Sequence, residues 1–143
     1  MAEFQHHRIV RFGECDPAGV VYYPVFFNWF HEAMEAWFDE ALRVPYAEVI
    51  KTVGFPAVKT EARFKQPFEL GDEVVITLRL SALDRASITL EFDVLGQGGN
   101  VCAQGSVCCV SIGVEEGEFQ FKAISIPVNL REKMSEFLIT ETM

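Results

Sequence analysis

The hydrophobic residues recur with a helical period between Pro24 and Arg43 and with the period of strands before and after this stretch. Apolar side chains cover most of the helical stretch, and its polar residues form one narrow stripe of Asn28, Glu32, Glu35 and Asp39. An ordinary surface helix has a narrower apolar face than this one. The pattern therefore predicts a long central helix that a curved sheet covers on several sides.

Most of the remaining chain alternates apolar and polar residues, as half-buried strands do. Residues 4–13 are predicted to form a first strand, and residues 45–54 a short helix. Further strands are predicted at 61–68, 72–83, 86–96, 100–113 and 118–124, and a C-terminal helix at 127–138. This order predicts an α+β fold with one domain over residues 1–143. Apolar residues on the second face of the sheet favour its burial against another subunit.

Composition narrows the classes of partner. The chain has 143 residues, half of them hydrophobic, which is enough for one core. Its net charge of −9 disfavours nucleic acid and anionic membranes as partners. There is no signal-peptide pattern and no apolar run free of charges that could span a membrane. The four cysteines lack metal-ligand spacing, so we expect reduced thiols in a cytoplasmic protein without a metal or cofactor.

The stretch GECDPAGVVYYP joins the first strand to the helix and holds the candidate chemistry. Its Asp-Pro-Ala-Gly tetrapeptide has the composition of a type I turn, so Asp16 is either a turn residue, a reactive carboxylate, or both. Cys15 beside it is an alternative nucleophile, but its thiol needs a basic partner to become a thiolate. His6 and His7 on the preceding strand are the candidates for that partner.

The run CDPAGVVYYPVFFNWFHEA, with the later stretches RFKQPFELGDEV and KAISIP, resembles the 4-hydroxybenzoyl-CoA thioesterase family over nearly the whole chain. The resemblance implies the hotdog fold, in which a curved antiparallel sheet wraps around a long central helix. It implies hydrolysis of an acyl-CoA thioester to the free acid and CoA, with an aryl group such as 4-hydroxybenzoyl or a short acyl group. It also implies an active site between two subunits of a homo-oligomer, either a dimer or a tetramer of two dimers.

The resemblance also assigns roles to residues of the turn. The aspartate of the DPAG run is catalytic in this family, so Asp16 is the expected nucleophile or general base. The family polarises the thioester carbonyl with a backbone N–H at the start of the helix, which by position belongs to Tyr23. A carboxylate with a reference pKa of about 3.9 is ionised at neutral pH. It can attack the carbonyl carbon to form a mixed anhydride, or it can activate a water molecule, and both routes stay open.

Four further residues are candidates for substrate binding: Gly19, Trp29, His31 and Arg85. His31 departs from the family, where an acid is often present, and it is expected to line the acyl pocket or to remain a structural histidine. Arg85 matches one basic residue of a cluster that the hydroxybenzoyl enzyme uses for CoA, and Arg63 and Lys65 are alternatives. Trp29 is expected either in the core or against the acyl group.

Two other functions stay open at this level. The first is a dehydratase of the same fold, which acts on acyl thioesters and usually needs a histidine paired with an acid, and DPAGVVYYP contains no histidine. The second is a non-catalytic acyl-CoA binding protein, which would tolerate the replacement of Asp16.

Overall fold

The central helix occupies the predicted stretch. The computed structural model describes residues 2–139, and in it the helix α1 spans Val25–Ala36 and continues as a π-helical segment over Trp37–Leu42. Pro24 caps the N-terminus with φ −63, a position where the missing N–H removes no helical hydrogen bond. The helix ends at Arg43, which has the left-handed φ of 57.

Within residues 2–139, eight strands form two antiparallel sheets around this helix. They are β1 Phe4–Ile9, β2 Val53–Gly54, β3 Ala57–Phe64, β4 Glu73–Leu83, β5 Ser87–Leu95, β6 Val101–Val110, β7 Ile112–Glu115 and β8 Glu118–Ala123. The larger sheet has the order β1-β4-β5-β6-β3, and the smaller one has the order β2-β7-β8. The described residues also form the short α-helices α2 Tyr46–Val49 and α3 Val128–Met134. None of the helices between residues 2 and 139 combines the length and apolar character of a membrane span.

Three predicted strands differ in their bounds for local reasons. The first strand ends at Ile9 because a 3₁₀ turn follows at Phe12–Glu14. The strand predicted at 61–68 lies at 57–64 instead. The N–H groups of residues 65 and 66 both bond to the Cys102 carbonyl, which ends the regular pairing. The strand predicted at 100–113 divides at Ser111, so that β6 and β7 belong to different sheets.

The core lies between the helix and the larger sheet. Alternate residues of β4 and β5 face the helix and are buried: Ile76, Leu78, Leu80, Ile88, Leu90, Phe92 and Val94. The Phe30 ring stacks on Phe92 with 4.7 Å between ring centroids. It also lies directly over Gly105 of β6, where a Cβ atom would be 2.3 Å from the ring. The arrangement is the predicted α+β fold with a curved antiparallel sheet around a central helix.

The second face of the larger sheet is polar along its centre. The strand residues Arg79, Glu91, Asp93 and Gln104 line a groove of about 520 Å³ on this face. The Gln104 amide donates a hydrogen bond to the Asp93 carboxylate at 3.0 Å. Val75 and Leu95 pair at outward positions of β4 and β5 and are half-buried, so apolar residues lie beside this polar centre. Burial of the face against another subunit stays a prediction.

Candidate active site

A tight hairpin leads from the end of β1 to the start of α1. The N–H of Asp16 donates to the Val20 carbonyl at 2.9 Å, and the N–H of Tyr22 donates to the Glu14 carbonyl at 3.0 Å. The N–H of Gly19 closes the turn on the Asp16 carbonyl at 2.9 Å. Gly19 has φ 84, which residues with a Cβ rarely adopt. The Asp-Pro-Ala-Gly turn is therefore formed as its composition predicts, and Gly19 acts there through its backbone.

The Asp16 carboxylate uses one of its two oxygens within the turn. Its Oδ1 accepts the N–H of Ala18 at 2.9 Å, and the residue is half-buried. Its Oδ2 accepts no hydrogen bond from any residue between 2 and 139. Because the turn needs only one oxygen, a structural role and a reactive role are compatible in this side chain.

Among the partners available in residues 2–139, the start of α1 leaves the backbone N–H of Tyr23 without an acceptor. The N–H groups of Val25 and Phe26 donate to the carbonyls of Tyr22 and Tyr23, and Pro24 has no N–H. The N–H of Tyr23 itself makes no hydrogen bond within the described part of the chain. A free donor at the positive end of a helix dipole suits an oxygen that carries negative charge.

Trp29 lies in the core beneath the hairpin. Its side chain is 1% exposed, and its indole N–H donates to Glu14 Oε2 at 2.9 Å. The guanidinium carbon of Arg8 lies over the indole ring, 4.9 Å from its centroid. Trp29 does not line the large apolar cavity of the chain, so its contacts correspond to the core alternative of the sequence analysis.

That apolar cavity has a volume of about 430 Å³ and lies between α1, β3 and the smaller sheet. It begins at Phe27, one helical turn or about 6 Å beyond Tyr23 along the axis. His31 and Tyr46 are polar residues in its lining, and their rings meet edge to face at 5.9 Å. Asp16 does not line this cavity. The structure therefore places His31 in the cavity wall and Asp16 outside it within a single chain.

Two groups in the cavity wall have raised pKa values. Burial and then the charge of Glu35 raise the pKa of Tyr46 above its usual value of 10.0, so its hydroxyl remains a donor at neutral pH. Burial raises the pKa of the Cys109 thiol to about 12. His31 Nε2 lies 3.4 Å from the Glu35 carboxylate, with both side chains about half exposed. The cavity wall is thus mostly apolar, with Tyr46, the neutral Cys109 thiol and the imidazole of His31, whose carboxylate partner Glu35 is not a lining residue.

Arg85 lies far from the hairpin within one chain. It follows β4 at Leu83, whereas the hairpin adjoins the other end of β4, where Ile9 pairs with Glu73. An eleven-residue strand spans roughly 35 Å. The Arg85 guanidinium donates to Ser125 Oγ at 2.9 Å. A single chain therefore does not bring Arg85 and Asp16 into one site.

The alternative cations Arg63 and Lys65 lie at the helix-start end of the molecule. They flank Phe64, whose ring contacts Tyr23 and Phe26 with centroids 6.3 and 5.0 Å apart. Both cations are exposed. Position along β3 therefore favours these two residues over Arg85 for a ligand that also reaches the Tyr23 N–H of the same chain.

Cys15 lacks the basic partner that a thiolate requires. Its thiol donates weakly to the Arg11 carbonyl at 3.8 Å. His6 Nε2 instead lies 2.7 Å from the Glu32 carboxylate, and the His7 ring makes no hydrogen bond within residues 2–139. The same described residues contain no group of three metal-ligating side chains.

Comparison with known proteins places the chain in a family. Residues 10–137 match the model of the thioesterase-like superfamily. The chain belongs to this superfamily. A 1,4-dihydroxy-2-naphthoyl-CoA hydrolase from Prochlorococcus marinus strain NATL2A is 31% identical over 141 residues, which cover 91% of this chain and 88% of that protein. The protein of the same name from strain MIT 9303 is 32% identical over 94 residues, and this chain spans 62% of its length.

Solved structures resemble this thioesterase-like chain over most of its length. A gentisyl-coenzyme A thioesterase is 32% identical, with a TM-score of 0.82 over 92% of this chain and 99% of that chain. A mutant 4-hydroxybenzoyl CoA thioesterase, complexed with 4-hydroxybenzoyl CoA, shares the fold at 24% identity, with a TM-score of 0.80 over 92% and 98% of the two chains. The predicted family and the predicted hotdog fold are confirmed.

The thioesterase-like chain has site residues that the sequence analysis did not single out. Glu14 bonds to the helix and to β1, and Tyr46 lines the cavity. The one sequence signal for Glu14 is its place two residues before Asp16. Tyr46 carries no such signal, because only the folded chain brings α2 against His31.

Proposed function

We propose that the chain is an acyl-CoA thioesterase that hydrolyses its substrate to a free acid and CoA. Asp16 acts as the nucleophile or general base, and the Tyr23 N–H binds the carbonyl oxygen. The observation that carries this proposal is one hairpin with two unused groups, the Oδ2 atom of Asp16 and the N–H of Tyr23. Membership of the thioesterase-like superfamily supports the reaction class.

The geometry suits the two charge changes of thioester hydrolysis. As the carbonyl carbon is attacked, negative charge develops on its oxygen, and the Tyr23 N–H at the helix N-terminus stabilises that charge. In the covalent route, Asp16 forms a bond to the carbonyl carbon, and the C–S bond then breaks to release CoA as a thiolate that takes a proton. Water hydrolyses the resulting mixed anhydride and restores Asp16. In the other route, Asp16 removes a proton from the attacking water.

The acyl group is proposed to be a hydroxylated aryl group that lies in the apolar cavity. An apolar cavity of about 150 Å³ holds one benzene molecule. The volume of about 430 Å³ therefore has room for more than one ring. His31, Thr60 and Tyr46 are polar residues in its lining that can recognise ring hydroxyls. The names of two similar proteins, a 1,4-dihydroxy-2-naphthoyl-CoA hydrolase and a gentisyl-coenzyme A thioesterase, agree with this class.

A homo-oligomer, as a dimer or a tetramer of two dimers, is proposed to complete the site. Strand β3 lies at the edge of the larger sheet, and most of its residues are exposed. Its apolar residues Val58 and Phe64 are 62% and 47% exposed. An exposed edge strand of eight residues can pair with another strand. Because Asp16 does not line the cavity of its own chain, a second copy at this edge would bring another cavity wall toward the hairpin.

A thiol-release screen tests the proposal. Wild type, Asp16→Ala and the control Glu132→Gln, an exposed carboxylate on α3, are compared on 4-hydroxybenzoyl-, gentisyl-, 1,4-dihydroxy-2-naphthoyl- and short alkyl-CoA esters. We expect aryl esters to be hydrolysed best and Asp16→Ala to lower kcat/KM by roughly 10²–10⁴-fold. Wild-type rates in Asp16→Ala would refute the site.

Two further outcomes separate the other functions. Binding of the esters without release of CoA would favour an acyl-CoA binding protein, and an unsaturated thioester as product would favour a dehydratase. A single turnover in heavy-oxygen water then tests the covalent route. Label in the Asp16 side chain indicates that route, with water attacking the aspartyl carbon of the anhydride and an original carboxylate oxygen leaving in the free acid. Attack of water on the acyl carbon places the label in the free acid, as the general-base route also does.

A further inference from the structure

The Glu14 carboxylate connects three separate parts of the chain. Both of its oxygens lie 2.8 Å from Nη2 of Arg8 on β1. Its Oε1 accepts the backbone N–H of Arg11 at 2.9 Å, and its Oε2 accepts the indole N–H of Trp29 on α1 at 2.9 Å. The Glu14 side chain is 20% exposed and that of Arg8 is 12% exposed, so this ion pair is largely shielded from water.

The backbone of the same residue holds the hairpin. The Glu14 carbonyl accepts the N–H of Tyr22, the residue directly before Tyr23, at 3.0 Å. Asp16 follows Glu14 by two positions. The side chain of Glu14 therefore attaches this residue to α1 and to β1, and its backbone carbonyl joins the two halves of the hairpin.

The anchor on β1 is itself held in place. Arg8 Nη1 donates to Glu32 Oε1 at 3.2 Å, and the guanidinium carbon lies 4.9 Å from the Trp29 ring centroid. Glu32 in turn contacts His6 at 2.7 Å. A guanidinium that bonds two carboxylates and stacks on an indole has little freedom to move.

We propose that Glu14 is a positioning residue for hydrolysis, which sets the Asp16 carboxylate relative to the Tyr23 N–H. This inference rests on the proposed function of the hairpin. Without the carboxylate, the hairpin keeps its internal bonds but loses its attachment to α1 and β1. A displacement of about 1 Å between reacting groups can lower a rate by roughly 100-fold.

The isosteric variant Glu14→Gln tests this role beside Glu14→Ala and the control Glu132→Gln. Steady-state kinetics on the ester that wild type hydrolyses fastest give kcat and KM, and calorimetry with CoA gives Kd. We expect Glu14→Gln to lower kcat by about 10- to 100-fold. The Kd for CoA should stay near the wild-type value. The thermal midpoint should fall, because the ion pair is lost and one oxygen that accepts these N–H groups becomes an NH₂ donor. If Glu14→Gln does not fold, Glu14→Asp, which keeps the charge on a shorter side chain, is compared with wild type in the same assays.

A double variant identifies the group through which Glu14 acts. In the Asp16→Ala background, Glu14→Gln should lower the residual rate by less than about threefold, because the group that it positions is gone. Multiplicative effects in the double variant would overturn the proposal. So would wild-type kcat in Glu14→Gln, or parallel losses of kcat, CoA binding and thermal midpoint. Wild-type activity in Asp16→Ala alone would instead refute the proposed site, and with it the role of Glu14.

Discussion

Replacement of Gly105 by alanine should destabilise the protein, because the Phe30 ring occupies the space that a Cβ atom needs. The added atom would lie 2.3 and 2.4 Å from two ring carbons and 3.2 Å from the Glu61 carbonyl oxygen. Ordinary contacts between carbon atoms are about 3.5–4.0 Å. The ring or the strand must therefore move by more than about 1 Å.

The surroundings of Phe30 leave no easy direction for that movement. Its side chain is 0% exposed, and its ring stacks on Phe92 at 4.7 Å. Overpacking of a core lowers the free energy of unfolding by about 1–3 kcal/mol, and a ring held on both sides should fall near the upper value. For a chain of this size, 1 kcal/mol corresponds to about 2–4 °C in the melting temperature. Gly105→Ala should therefore melt roughly 6–12 °C below wild type.

Gly113→Ala is the matched control for this experiment. The nearest atoms to its Cβ would be 3.9 Å away, so the new methyl group has ordinary contacts. It also reduces the entropy of the unfolded chain, so stability should stay the same or rise by up to about 1 kcal/mol. Thermal unfolding is followed by circular dichroism at one protein concentration. Equal melting temperatures for Gly105→Ala and Gly113→Ala would contradict the clash with Phe30, whereas recovery on adding Phe30→Leu to Gly105→Ala would support it.

Three further predictions concern single positions. Burial raises the pKa of Cys109 to about 12, so at pH 8 Cys109 should react with iodoacetamide after Cys108. Its rate of labelling, followed by mass spectrometry, should rise about tenfold per unit of added pH. Labelling of Cys109 before Cys108 would contradict this. Arg43 has a left-handed backbone conformation that glycine adopts without strain. Arg43→Gly should therefore raise the free energy of unfolding by up to about 1 kcal/mol, and a lower melting temperature would contradict this expectation. Gly54→Ala places a Cβ 2.6 Å from the half-exposed Phe119 ring at the cavity. It should lower kcat/KM for a two-ring ester relative to a one-ring ester, and an unchanged ratio in the thiol-release assay would contradict the proposed acyl site.

The central helix could be predicted because its apolar residues recur with one period over five turns. The predicted bounds of 24–43 and the observed ones of 25–42 agree within a residue at each end. The π-helical segment could not be predicted. A change in backbone hydrogen bonding over Trp37–Leu42 leaves Trp37, Phe38 and Leu42 buried, so it leaves no trace in the pattern.

The hairpin could be predicted because its turn is encoded locally, by an Asp-Pro-Ala-Gly composition that closes on itself. The surroundings of Glu14 could not, since its partner Trp29 is fifteen residues away and no periodicity joins the two. Arg85 illustrates a different limit. Its match to a family motif suggests a role in binding, but β4 separates Arg85 from the hairpin at the other end of that strand.

The proposed reacting groups and the proposed acyl cavity come from different parts of the chain. Asp16 and Tyr23 are held by hydrogen bonds that close loops of fewer than ten residues, and such loops form in about 10–100 ns. The cavity wall, by contrast, is assembled from residues as distant as Phe27 and Phe121. Substitutions can therefore reshape the cavity without disturbing the hairpin. A scaffold with this division can acquire a new acyl preference in small steps, each of which leaves the proposed reacting groups in place.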